Sequence, residues 1–89
     1  MTKLNFDGYN VPMHTQATLD RYINHGLRPG SFLEAVLSND LFRAVGAADL
    51  ANTLALTEIV KWLYNRAPIG CHGSEEKVHY WILDRSAGE

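Results

Sequence analysis

Glycine and proline interrupt this chain at Gly8, Pro12, Gly26, Pro29-Gly30, Gly46, Pro68, Gly70 and Gly73. Between those stops, apolar residues recur three and four positions apart, the spacing of a helix with one buried stripe. The longest stretch without a breaker runs from Ala47 to Ala67. These stops exclude a long coiled coil and a membrane-spanning helix, because no run approaches the apolar length either needs. The chain has 89 residues, enough for one domain with a thin core that removes roughly 60–65% of its surface from water on folding. With 46% hydrophobic residues it has the apolar content to fold. The expectation is an all-α fold: a compact bundle of four to five short helices over residues 15–86, carrying an extended or hairpin arm over residues 1–12.

The individual stops predict the elements. Leu4 and Phe6 alternate before Asp7-Gly8, and Tyr9 and Val11 alternate after it. That pattern reads as a hairpin, or as an extended arm packed on the helices or on a neighbouring subunit. Thr15 is a candidate cap for a first helix ending at His25, with Leu19, Tyr22 and Ile23 on its inner stripe. Gly26 fits the left-handed position after that helix, and Leu27 the apolar contact of a Schellman ending. Ser31 and Glu34 have the spacing of a capping box. Phe32, Leu33, Val36 and Leu37 follow, then Ser38-Asn39-Asp40. The apolar spacing permits one helix from Phe32 to Val45, or a break with Asp40 capping a short helix that ends at Gly46. Asp49 can cap the longest helix, reaching Arg66. Its predicted inner stripe is Leu50, Leu54, Ile59, Val60, Leu63 and Tyr64, with Trp62 off it. A loop over 67–73 leads to Ser74, which caps a last helix with Glu75 and Glu76 in its first turn, where the helix dipole favours acids. Val78, Trp81 and Ile82 face inward there, and the tail frays from Ser86.

Eight basic and ten acidic residues are scattered along the chain, for a net charge of −2, which argues against a binder of bulk nucleic acid. Sequence-specific DNA reading is disfavoured too. The segment that would enter the groove, residues 31–37, lacks the Arg, Lys, Asn and Gln that read base edges. One cysteine, Cys71, allows no disulfide within the chain and suits a reducing, cytoplasmic setting. The N-terminal segment has no apolar core of a signal peptide. Catalytic signatures are missing: no phosphate-binding glycine loop, no H-E-x-x-H, no Cys-x-x-Cys. Cys71 and His72 are adjacent, and adjacent side chains seldom converge on one metal ion. The expectation is a non-enzymatic protein with no metal and no cofactor.

Two features point to binding. Arg28-Pro29-Gly30-Ser31 places a guanidinium just before a helix start, where free N–H groups attract an anion. Asn39 and Arg43 lie near the break at 38–40 and can face the same side. Aromatic residues are also abundant for so thin a core. Tyr80 and Trp81 are adjacent and point about 100° apart, and Trp62 and Tyr64 straddle Leu63, so at least one member of each pair should be partly exposed. The expected ligand-binding set is Arg28, Ser31, Asn39 and Arg43 for charged groups, with Tyr9, Tyr80 and Trp81 for stacking. Surplus apolar surface on a small domain further predicts a homo-oligomer.

The runs His14-Thr15-Gln16, Leu19-Asp20-Arg21-Tyr22, Pro29-Gly30-Ser31-Phe32-Leu33 and Ala35-Val36-Leu37-Ser38-Asn39-Asp40-Leu41 resemble a family of small tailed-bacteriophage proteins. Ala48-Asp49, Glu58-Ile59-Val60, Tyr64-Asn65, Gly73-Ser74 and Lys77-Val78 extend the resemblance over most of the chain. It implies a viral origin and a site of action in the host bacterial cytoplasm, with no catalytic residues to carry over. By analogy of size and setting it implies either capture of an anionic, nucleotide-like host defence signal, or binding of a host protein as adaptor or inhibitor.

The predicted core face of the longest helix has a measurable consequence. Leu63→Ala should cost about 2–5 kcal/mol in chemical denaturation, the range for emptying a buried leucine site; a loss under about 1 kcal/mol would place Leu63 outside the core.

Overall fold

Most of the glycine and proline stops fall between helices in the computed structural model, which describes residues 3–87; Gly46 does not, and lies within the third helix. The helices are α1 (Met13–His25), α2 (Ser31–Leu37), α3 (Leu41–Ala47), α4 (Leu50–Arg66) and α5 (Glu75–Ala87). Among the described residues there is no strand. The fold class is all-α, a five-helix bundle.

α1 begins two residues earlier than Thr15, after Pro12, whose carbonyl accepts from the Gln16 N–H at 2.9 Å. Thr15 is not a cap. It is fully buried, and its hydroxyl donates to the Asn52 side-chain carbonyl at 2.7 Å. That bond satisfies two polar side chains inside the α1–α4 contact, where an unpaired hydroxyl would cost about 1–3 kcal/mol. α1 ends as its sequence implies: Gly26 has φ +69°, and the N–H groups of Gly26 and Leu27 bond to Tyr22 and Arg21. Leu27 itself is exposed. Gly26 has a second duty. A Cβ there would lie 2.7 Å from the Arg85 Cβ and 2.8 Å from the Ile82 carbonyl, so α5 crosses directly over the end of α1. Ser86 is held in that contact, its hydroxyl donating to the Gly26 carbonyl at 3.3 Å. α5 is therefore helical through the position where fraying was expected, and the final residues, 88–89, lie outside the described residues.

The break at 38–40 is real. Asn39 adopts φ +62° and the Asp40 side chain accepts from the Arg43 N–H at 3.2 Å, so α2 and α3 are separate helices. The Ser31–Glu34 capping box does not form. Gly30 occupies the cap position, no side chain caps α2, and Glu34 turns to Arg28 instead. Asp49 and Ser74 cap α4 and α5 as predicted, accepting from Asn52 and Lys77.

The arm makes a turn and not a ladder. The Tyr9 N–H reaches back to the Phe6 carbonyl at 3.0 Å, with Gly8 at φ +90°, and among the described residues the two halves of the arm form no strand pair. Instead the arm straps α4. Phe6 stacks on Trp62 with ring centres 4.3 Å apart. The Trp62 indole N–H donates to the Asn5 carbonyl at 2.8 Å, and the Asn10 N–H donates to Glu58.

This strap accounts for the largest correction. The buried residues of α4 are Asn52, Ala55, Ile59, Trp62 and Leu63. Leu50, Leu54, Val60 and Tyr64, placed in the core by periodicity, are exposed. α4 is apolar nearly all round, so its stripe has no unique direction in sequence. The arm and α1 select the side bearing Trp62, the largest apolar side chain, which needs a partner for its N–H. The core gathers Leu19, Tyr22, Ile23, Phe32, Leu33, Leu37, Ile59, Trp62, Leu63, Val78 and Trp81.

Trp62→Ala should therefore destabilise the protein by about 3–5 kcal/mol, while Leu54→Ser stays within about 0.5 kcal/mol. Denaturant midpoints of the two variants separate this packing from one with Leu54 inside.

Candidate functional site

The seven residues expected to form a ligand site are spread over five places. Arg28 and Arg43 do converge. They line one narrow crevice of about 130 Å³ with Glu34, Ser38, Glu75, Val78, His79 and Ile82. Each arginine already has a carboxylate: Arg28 meets Glu34 at 3.0 Å, and Arg43 approaches Asp40 at 3.7 Å. With Glu75 in the wall, acids balance the guanidinium charges. Ser31 is exposed at the first position of α2. Asn39 is exposed and borders a different cleft, beside Asp40 and Leu41. Tyr9 lies in the arm, half-buried beside Gln16.

Tyr80 and Trp81 border a shallow depression with Gly70, Lys77, Leu83 and Asp84. Tyr80 is exposed, but Trp81 is a core residue. Its indole N–H donates to the Tyr22 carbonyl at 3.2 Å, and the Arg85 guanidinium sits 3.8 Å from its ring centre. A base stacking on that ring face would have to displace Arg85. The pairing rule for the aromatics holds all the same, with Tyr64 and Tyr80 outside, Trp62 and Trp81 inside.

A larger feature was not anticipated. α3 packs on α2 and stands away from α4, leaving a cleft of about 410 Å³. Its walls are Val36, Leu41 and Ala44 on one side and Leu56, Val60, Leu63 and Tyr64 on the other, with His72 and Gly73 at one end. The size is that of many small-molecule pockets, but the cleft is open. The apolar surface continues past it: Phe42 is 87% exposed, Tyr64 84%, Leu54 78% and Leu50 75%, with Leu41 and Val45 also exposed. Scattered apolar residues are ordinary on a protein surface, whereas a run of them on two consecutive helices is not. The sequence carried one signal of it, the excess of apolar residues around α4, more than one buried face can use.

Cys71 lies in the 67–73 loop between α4 and α5. It is fully buried against α1, and the Tyr22 hydroxyl donates to its carbonyl at 2.6 Å. Burial pushes the thiol up to about 12, opposed by a backbone hydrogen bond and then by Arg85. Burial also raises the Tyr22 phenol above its ordinary range. The thiol is thus neutral and inaccessible, the opposite of a nucleophile. His72, at the cleft end, is held below its usual value by burial first and then by Lys77. No group of three His, Cys, Asp or Glu side chains that could hold a metal ion occurs among the described residues. None of the helices is long and apolar enough to cross a membrane, again among the described residues.

Fold and surface together define a small all-α protein with an uncovered apolar face. No protein family, curated protein or solved structure matches the chain.

The buried Cys71 carries a pH prediction. A group whose folded pKa lies above its unfolded value stabilises the fold below the unfolded value, and that stability drains away as pH rises. The thiol's ordinary value is 9.0 and its folded value about 12. Stability should therefore fall between those limits, Tyr22 adding to the loss, and Cys71→Ala should flatten the fall in urea titrations at pH 8 and pH 11. In the native protein at pH 8, iodoacetamide should leave Cys71 unmodified until urea unfolds the chain.

Proposed function

We propose that this chain is a non-enzymatic interaction protein that docks a protein partner through the apolar face of α3 and α4. One observation carries the reading: Leu41, Phe42, Val45, Leu50, Leu54, Val60 and Tyr64 are all exposed on two consecutive helices. Large aromatic and aliphatic anchors of this kind supply most of the binding energy where two proteins meet. The setting is the one implied by the resemblance to small phage proteins, a viral chain acting as adaptor or inhibitor in the host bacterial cytoplasm.

Capture of a small anion is the second reading, and it rests on the convergence of Arg28 and Arg43 on one crevice. About 130 Å³ suits an isolated phosphate or carboxylate group better than a nucleotide, which needs a pocket several times larger. The stacking partners lie elsewhere, and Glu34 and Asp40 compete for the guanidinium groups.

The two readings separate in one set of variants. Under the first, Leu54→Asp with Tyr64→Asp weakens association at least about 10-fold, whether with a second copy or with a host protein in a bacterial extract, and leaves helicity unchanged. Association indifferent to both substitutions would remove the α3–α4 face from consideration. Under the second, Arg28→Ala with Arg43→Ala abolishes phosphate binding in calorimetry.

A further inference from the structure

We infer that the partner covering this face is a second copy of the chain, joined by an antiparallel crossing of α4 on α4 centred at Thr57. This rests on the reading of the α3–α4 face as a docking surface and names what docks there.

The first argument is self-complementarity. Along the outward side of α4 the residues are Leu50, Thr53, Leu54, Thr57, Val60, Lys61 and Tyr64, all exposed. They are symmetric in character about Thr57. Apolar side chains lie seven positions before it (Leu50) and seven after it (Tyr64). They lie again three before (Leu54) and three after (Val60). Polar ones lie four before (Thr53) and four after (Lys61). A two-fold axis through Thr57 therefore sets Leu50 against the partner's Tyr64, Leu54 against the partner's Val60, and Lys61 against the partner's Thr53. A closed two-fold interface requires such a patch, one that matches itself when reversed.

The second argument is charge. Lys61 is the one ionic side chain in that row. A parallel pairing would set Lys61 against the partner's Lys61, whereas the antiparallel one gives it a hydroxyl and leaves its stem along apolar surface. Antiparallel helices also place opposite dipole ends together. Thr57 at the crossing is small enough to let the backbones approach.

The third argument is area. The seven exposed apolar side chains of α3 and α4 present on the order of 1,000 Å² of accessible surface, and each partner in a standard stable interface contributes about 800 Å². Leu41 borders the same cleft as Tyr64, so α3 extends the contact towards the start of the partner's α4.

The test uses single cysteines in the full chain, where Cys71 is buried and does not interfere. Thr57→Cys places two thiols at the axis, and oxidation should link them into a covalent dimer. Thr53→Cys places its two thiols about 12 Å apart along the crossing, at 1.5 Å per residue, beyond the roughly 7 Å Cα separation a disulfide can span. The expected result is a mass in sedimentation equilibrium of twice the 10.0 kDa chain, with Thr57→Cys linking at least about 10-fold faster than Thr53→Cys. A dimer in which both cysteines link equally, or neither does, overturns this register and axis. A monomer that binds a host protein, and loses it on Leu54→Asp, overturns the second copy as partner while the docking-face reading stands. A monomer that associates with nothing removes both.

Discussion

Tyr22 is the point on which this structure closes. Its phenol is fully buried and donates to the carbonyl of Cys71, 49 residues away. Its own backbone carbonyl, already part of α1, also accepts the indole N–H of Trp81. One residue of α1 thus pins both the 67–73 loop and α5. The loop needs that anchor because its backbone is irregular and partly interior, where an unpaired carbonyl is costly. Gly73 reaches the end of α2 in the same way, its N–H bonding to the Leu37 carbonyl at 2.7 Å. One turn further along α1, Gly26 has no side chain to hold α5 off, so Arg85 and Ser86 close over it.

α4 relates differently to the rest. It is the longest helix, yet a cleft separates part of it from α3. Its inner side is held by the Thr15–Asn52 hydrogen bond and by the arm, through Phe6, Asn5 and Asn10. A helix gripped along one side keeps its other side bare. The apolar residues left there are those of a second contact that this chain cannot make with itself. The same geometry divides the surface by chemistry. Charged pairs gather around the Arg28–Arg43 crevice on one side of α3, and apolar side chains line the cleft on its other side.

The helix ends were legible in the sequence because they depend on local chemistry. Gly26 requires positive φ, Asp40, Asp49 and Ser74 are short acceptors with free N–H groups in reach, and Pro68 ends α4. The all-α class followed from the same stops and the three-and-four spacing. The capping box at Ser31 failed although its spacing was right, because Glu34 had a stronger partner in Arg28, six residues away in sequence rather than three. The ligand set fared unevenly for a related reason. Arg28 and Arg43 border one crevice, while Asn39 borders another cleft, Trp81 belongs to the core, and Tyr9 and Tyr80 to other surfaces.

What the sequence determined by itself was the all-α class, most of the helix ends, and the excess of apolar residues over what one thin core can hide; whether residues 32–45 form one helix or two was decided by the turn at Asn39. Which side of α4 faces inward was decided only in three dimensions. A helix apolar on both sides has two nearly equivalent ways to pack, and periodicity cannot choose between them. Here the choice belonged to the arm, whose Phe6 and Asn5 offer Trp62 both a ring and a hydrogen-bond acceptor from 56 and 57 residues away.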